Sequence, residues 1–208
     1  MLDLTRPFLE RGEKLICFGD SLTAPENSYV KFLRDALPDN TVINAGRPGD
    51  KTPWALTRFD ADVLQQKPDA VSIMLGTNDS IVGRGCWADE PTVSAEAYRC
   101  NLVWMIHLCR LNGIKKVSIA SVFGLEGPAF LAYGTRTYEY GMAARDAADE
   151  MKCPFVPLDT LFVTLRGATP LTELALTREG IHPQAQYHED IARAMLKAWN
   201  LPDAALSR

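Results

Sequence analysis

Apolar and polar positions alternate along the chain in two rhythms. Leu15, Ile16, Cys17 and Phe18 form a short apolar run without polar alternation, the pattern of a strand buried on both faces. Further short strands are predicted over 41–44, 70–75, 116–122 and 154–158. Helical spacing fills the intervals. Over 26–37 it places Tyr29, Val30, Phe32, Leu33, Ala36 and Leu37 on one side, and Pro38 closes the segment. Thr52 as N-cap with Pro53 at the first helical position predicts a helix to about Gln66, where Lys67 and Pro68 stop it. Ser94 caps a helix to about Leu111, carried by Leu102, Val103, Met105, Ile106 and Cys109. A helix to about Met151, a helical turn or more over 159–166, and an amphipathic helix over 184–199 complete the set. In the last of these Tyr187, Ile191, Ala194, Met195 and Ala198 form the apolar face. Segments 80–91 and 123–134, rich in Gly and aromatics, read as loops, and 167–180 as irregular.

Strands that alternate with helices imply a parallel sheet covered on both faces. The expected architecture is α/β: a three-layer sandwich around a flavodoxin-like, five-stranded parallel sheet of order 2-1-3-4-5, in one domain over 1–208. A chain of 208 residues, 47% hydrophobic and 23% charged, is long enough to bury a sizeable core. Its net charge of -4 argues against a nucleic-acid partner or an anionic membrane surface, which call for a basic patch. No apolar run approaches the ~20 residues of a membrane span. The first residues, MLDLTRPFLERGEK, carry charge where a secretion signal needs an apolar stretch. Five cysteines without CxxC spacing fit neither a disulfide framework nor a zinc site. The expected setting is therefore the cytoplasm, with reduced and mostly buried thiols.

Chemistry concentrates in four turns: Gly19-Asp20-Ser21-Leu22, Asn44 to Gly49, Gly76-Thr77-Asn78-Asp79, and Glu179-Gly180-Ile181-His182-Pro183. The first three follow strands one, two and three. In the order 2-1-3-4-5 these strands are adjacent, and ligands of open α/β sheets bind where strand order reverses, at the carboxyl ends.

In these four blocks, and in their order, the chain resembles the SGNH hydrolases, also called the GDSL esterase/lipase family. The resemblance covers nearly the whole sequence and implies a cofactor-independent esterase that works through an acyl-enzyme. It assigns Ser21 as nucleophile, the Ser21 and Gly49 N–H groups and the Asn78 amide as oxyanion donors, and His182 as base. The last block of the family reads Asp-x-x-His-Pro, whereas here Glu179 stands in the acid's place. Glutamate is one methylene longer and still offers the acceptor that an imidazole base needs on its far nitrogen. Glu189 and Asp190 are alternative acids. G-x-S-x-G is absent, which argues against the α/β-hydrolase fold. The resemblance further suggests short acyl groups, such as acetyl esters on sugars, or lysophospholipids and thioesters, as a small-molecule substrate class. Trp54, Trp87 and Tyr133 are candidates for the walls of its pocket, with helix packing as the alternative role for Trp54.

Two other readings use the same residues. Asp20, Asp79 and His182 could serve a metal-dependent phosphoesterase, although no HxH or DxH spacing supports a metal site and Asp20, Asp50 and Asp79 are better placed to accept from loop N–H groups. A non-catalytic flavodoxin-like binding module is the second. His107, inside a predicted helix, is expected in packing or at the surface, and His188, in the last helix, at the surface, neither of them in chemistry.

Overall fold

A computed structural model describes residues 6–81, 89, 91–134, 136–203 and 206. Five strands form one parallel sheet: β1 (Lys14–Gly19), β2 (Thr41–Gly46), β3 (Ala70–Met74), β4 (Lys116–Ala120) and β5 (Phe155–Val156). Their order is β2-β1-β3-β4-β5, as the sequence predicts. Strand order therefore reverses between β1 and β3.

The period-two geometry of β1 explains its uninterrupted apolar run. Ile16 and Phe18 join one core with Val71, Ile73, Phe59, Leu102 and Met105. Leu15 and Cys17 point the other way, into a second core with Leu33, Met74, Ile191 and Met195. Each such side chain, once fully buried, contributes about 1.5–3 kcal/mol of transfer free energy. The first core lies under α2 (Thr52–Asp62), α4 (Ala95–Leu111) and α6 (Arg136–Met151). The second lies under α1 (Tyr29–Ala36), α7 (Leu158–Arg166) and α8 (Tyr187–Ala198).

Several boundaries differ from the sequence expectation. Ser28 caps α1, so this helix starts three residues later than its apolar spacing suggests. Thr52 is the first residue of α2 rather than its cap. Lys51 occupies the cap position but makes no capping bond with its side chain, and Asp79 from the turn at 76–79 accepts from the Thr52 N–H instead. The predicted turn at 76–79 tightens into α3 (Thr77–Ser80), and the predicted loop at 123–134 contains α5 (Gly127–Tyr133). In α5 the chain uses Pro128 in the first turn, where its missing N–H costs nothing. Ser94 caps α4 as expected, accepting from the Ala97 N–H at 3.1 Å. In α8 the buried face is His188, Ile191, Ala192, Met195 and Leu196, rotated from the face read in the sequence.

Among the described residues no helix is long and apolar enough to cross a membrane. Cys17, Cys109 and Cys153 are buried thiols and Cys100 is an exposed one, none in a disulfide; Cys86 lies outside the described residues.

Candidate active site

The turn after β1 is held by its own aspartate. Asp20 Oδ1 accepts from the Leu22 N–H at 2.9 Å, and its carbonyl accepts from the Thr23 and Ala24 N–H groups at 3.1 and 3.0 Å. Ser21 is thereby fixed at the carboxyl end of β1. Gly19 stands at the head of this turn for a reason of space. A Cβ there would lie 2.1 Å from Thr23 Oγ1.

Ser21 meets the histidine of the distant fourth turn. Its Oγ lies 2.9 Å from His182 Nε2. The Glu179 carboxylate hydrogen-bonds His182 Nδ1 and also accepts from the His182 N–H at 3.1 Å. With the proton on Nδ1, facing the carboxylate, Nε2 is left to accept from the serine hydroxyl. The longer side chain thus reaches the imidazole by folding back over its own turn. Glu189 pairs with Arg193 instead of His182. Asp190 lines a different groove, beside Arg193 and Lys197. The Glu179 side chain is 50% exposed and that of His182 31%.

Turns two and three converge on the same point. Gly49 adopts φ +83°, a left-handed conformation that favours glycine. Asn78, buried in α3, directs its amide Nδ2 to the Asp50 carbonyl at 3.0 Å and toward Asp20 Oδ2 at 3.4 Å. Among the described residues no acceptor lies against the N–H of Ser21 or of Gly49. Asp79 accepts from the N–H and hydroxyl of Thr52, which ties the start of α2 to α3. Asn101 Nδ2 in α4 donates to Thr52 Oγ1 at 2.9 Å and braces that joint.

Arg58 is a residue of the site's frame that the sequence reading missed. Its buried guanidinium donates to the carbonyls of Gly19 and Ala45 at 3.0 Å each, and to Asp50 and Asp62 at 2.6 and 2.7 Å. It also lies 4.2 Å from the centre of the Phe18 ring. One side chain thus joins the ends of β1 and β2 to the loop of Gly49. A buried charge of this kind is tolerated because every face of it is paired. The sequence signal is an arginine nearly two turns along the predicted helix, on its apolar side. Asp50 accordingly pairs with Arg58, whereas Asp20 and Asp79 accept from loop N–H groups as expected.

Burial shapes the titration of the site. Asp20, 1% exposed, is pushed up to about 7, chiefly by desolvation. The Leu22 N–H opposes that shift, and the charges of Asp79 and Asp50 add to it. Burial likewise raises Asp79 to about 6 against the hydrogen bonds from Thr52. His188 lies on the buried face of α8, not at the surface, because it falls in register with Ile191, Ala192 and Met195. Burial, with the charges of Arg178 and His182, lowers it to about 4. Near neutral pH it is an uncharged neighbour of the His182 turn. His107 is exposed, as expected.

Asp20, Asp79 and His182 are not brought together as a ligand set, since each faces a different partner. Among the described residues no group of three His, Cys, Asp or Glu is placed to hold a metal ion. An apolar cleft of about 460 Å³ opens beside α5, walled by Val122, Leu125, Phe130, Phe162 and Leu171. No member of the Ser21–His182–Glu179 chain lines it, and neither do the half-buried Trp54 and Tyr133. Trp54 packs instead beneath Lys51, whose Nζ is 5.4 Å from its ring centre. Trp87 lies outside the described residues.

A family model for the GDSL-like lipase/acylhydrolase family matches residues 17–189, from the apolar core of β1 into α8. The chain belongs to this family. Membership makes it a carboxylic ester hydrolase by class, as the sequence analysis expects, and sets aside the metal-dependent and non-catalytic readings. An acetylxylan esterase of Geobacillus stearothermophilus is 29% identical over 209 residues, spanning 89% of this chain and 93% of its own. A lipoprotein of Bacillus subtilis, YqeF, is 29% identical over 197 residues, 81% of this chain and 79% of its own. The crystal structure of Axe2, an acetylxylan esterase from Geobacillus stearothermophilus, superimposes with a TM-score of 0.74 at 26% identity. It covers 95% of this chain and 98% of that one.

Proposed function

We propose that this protein is a serine-dependent esterase that removes short acyl groups, acetyl above all, through an acyl-enzyme. The observation that carries the reading is the continuous chain from Ser21 Oγ through the His182 ring to the Glu179 carboxylate. A serine hydroxyl becomes a useful nucleophile when an oriented base can take its proton. Ser21 Oγ attacks the ester carbonyl while His182 Nε2 accepts the hydroxyl proton. Glu179 holds the ring and stabilises the imidazolium. The negative charge that develops on the carbonyl oxygen is met by the N–H groups of Ser21 and Gly49 and by the Asn78 amide. On collapse, His182 returns the proton to the departing alkoxide and the alcohol leaves. Water, activated by the same base, then cleaves the acyl-serine to the free acid. No cofactor enters these steps.

The acetyl preference rests on the acetylxylan esterase among the relatives. Hydrolysis of p-nitrophenyl acetate, butyrate and octanoate, and acetate release from acetylated xylan, test the proposal in wild type and Ser21→Ala. We expect rates that fall with chain length in wild type and near-background rates in the variant. Equal rates for the two proteins would remove Ser21 as nucleophile. A preference for octanoate would remove the short-acyl assignment.

A further inference from the structure

The turn that carries Glu179 and His182 lies in a stretch with little regular structure, and a single buried carboxylate holds it. Glu126, just before α5 and 0% exposed, points one oxygen at three successive backbone N–H groups. Those of Ala175, Leu176 and Thr177 donate to Oε1 at 3.1, 2.7 and 2.5 Å, joined by the Thr177 hydroxyl at 2.7 Å. Successive N–H groups converging in this way form a concave anion nest, filled here by the protein's own carboxylate. The other oxygen is ion-paired with Arg166 at the end of α7. Arg166 in turn donates to the carbonyls of Thr169, Pro170 and Glu173.

The grip extends to the tip of the turn. The Glu126 N–H donates to the Gly180 carbonyl at 3.0 Å, and the Gly180 N–H donates to Thr177 Oγ1 at 2.9 Å. A Cβ on Gly180 would lie 2.3 Å from the Glu126 carbonyl oxygen, so the two backbones are in direct contact. Thr177 pairs with Pro183 across the base of the turn, and the Arg178 N–H donates to the His182 carbonyl at 2.9 Å. Glu179 and His182 therefore project from a small hairpin whose root and tip are both fastened to Glu126.

We infer that Glu126 is a positioning residue for the base of the reaction: through Thr177 and Gly180 it sets where the His182 ring stands relative to Ser21. This inference rests on the proposed role of His182. Displacing a reacting group by about 1 Å can cost on the order of 10²-fold in rate. The test combines Glu126→Gln, which keeps the shape and removes the charge, with Thr177→Val, which removes one link of the clamp. Each is made in the full-length wild type and in His182→Ala, with p-nitrophenyl acetate as substrate. On the wild-type background we expect kcat to fall roughly 10- to 100-fold with KM within about twofold. On the His182→Ala background neither change moves the residual rate by more than about twofold, because residues that act as a unit are not additive. Unchanged kcat in the folded variants, or the same loss with and without His182, overturns the inference. Should Glu126→Gln fail to fold, Thr177→Val decides it. A His182→Ala protein with wild-type kcat would instead remove the reading of the site itself, which keeps the two failures distinguishable.

Discussion

His182 Nε2 stands 2.9 Å from Ser21 Oγ across 161 positions of sequence, one residue at the exit of β1 and the other before the last helix. The contact joins the two ends of the fold, and it ranks the side chains around it by expected effect.

Ser21→Ala and His182→Ala should each lower kcat for p-nitrophenyl acetate by roughly 10⁴-fold or more, and Glu179→Ala by roughly 10²-fold or more. Combining Ser21→Ala with His182→Ala should cost little beyond the first change. Steady-state kinetics of wild type and the four variants check this, with a fluorophosphonate label expected on Ser21 in wild type and absent from the two proteins that carry Ser21→Ala.

Asn78→Ala should lower kcat about 10²–10³-fold, equivalent to about 2.7–4 kcal/mol of barrier, with a smaller change in KM. The asparagine also fastens α3 to the Asp50 carbonyl, so the melting temperature is to be measured beside the rate. A fall in kcat at an unchanged melting temperature assigns the loss to the transition state.

Arg58→Met should be the most destabilising change in the frame. It leaves Asp50 buried without its partner, a situation that costs about 3–5 kcal/mol, or roughly 6–20 °C in melting temperature for a chain of this size. Activity should fall as well, because Asp50 holds Asn78 and neighbours Gly49. Calorimetry together with kcat tests both halves.

The buried carboxyl beside the serine gives stability a definite slope with pH. Asp20 is raised in the folded state to about 7 from an ordinary 3.8, so between these values the native protein binds the proton more tightly than the unfolded chain does. Its contribution is therefore full below about pH 4 and is lost as pH rises through 7, amounting to a few kcal/mol. His188, lowered to about 4 from 6.5, works in the opposite sense: between those values the unfolded chain binds the proton, and stability grows with pH. Urea midpoints from pH 4 to 8 for wild type and Asp20→Asn isolate the first effect. The variant's advantage over wild type should grow across this range and level off above about 7.

The sheet order and the four turns were legible because each rests on local chemistry: an apolar strand, then small polar residues at its exit. What the sequence hid is mostly long-range. Nothing near Thr52 announces that Asp79 will cap α2, and nothing near Glu126 announces a nest 50 residues away. Arg58 was obscured because a guanidinium at a buried helix position reads as an exposed one until its four acceptors are assembled. His188 was misplaced because helical spacing alone leaves the face of α8 free to rotate by a residue, and only packing on α1 and the sheet chooses between the options. Trp54 and Tyr133 were picked for aromatic character, a property that says nothing of direction.

The division of the site between early and late chain has a consequence for biosynthesis. Ser21, Gly49 and Asn78 lie within the first 80 residues, along with the Arg58 frame that joins their loops. His182 comes about a hundred residues later. At roughly 5–20 residues per second on the ribosome, the half that carries Ser21 emerges several seconds before His182. A nascent chain stalled before residue 175 would carry Ser21 without His182 to take its proton. Ribosome-bound intermediates should thus stay inert toward cellular esters until the segment from 175 onward docks on Glu126.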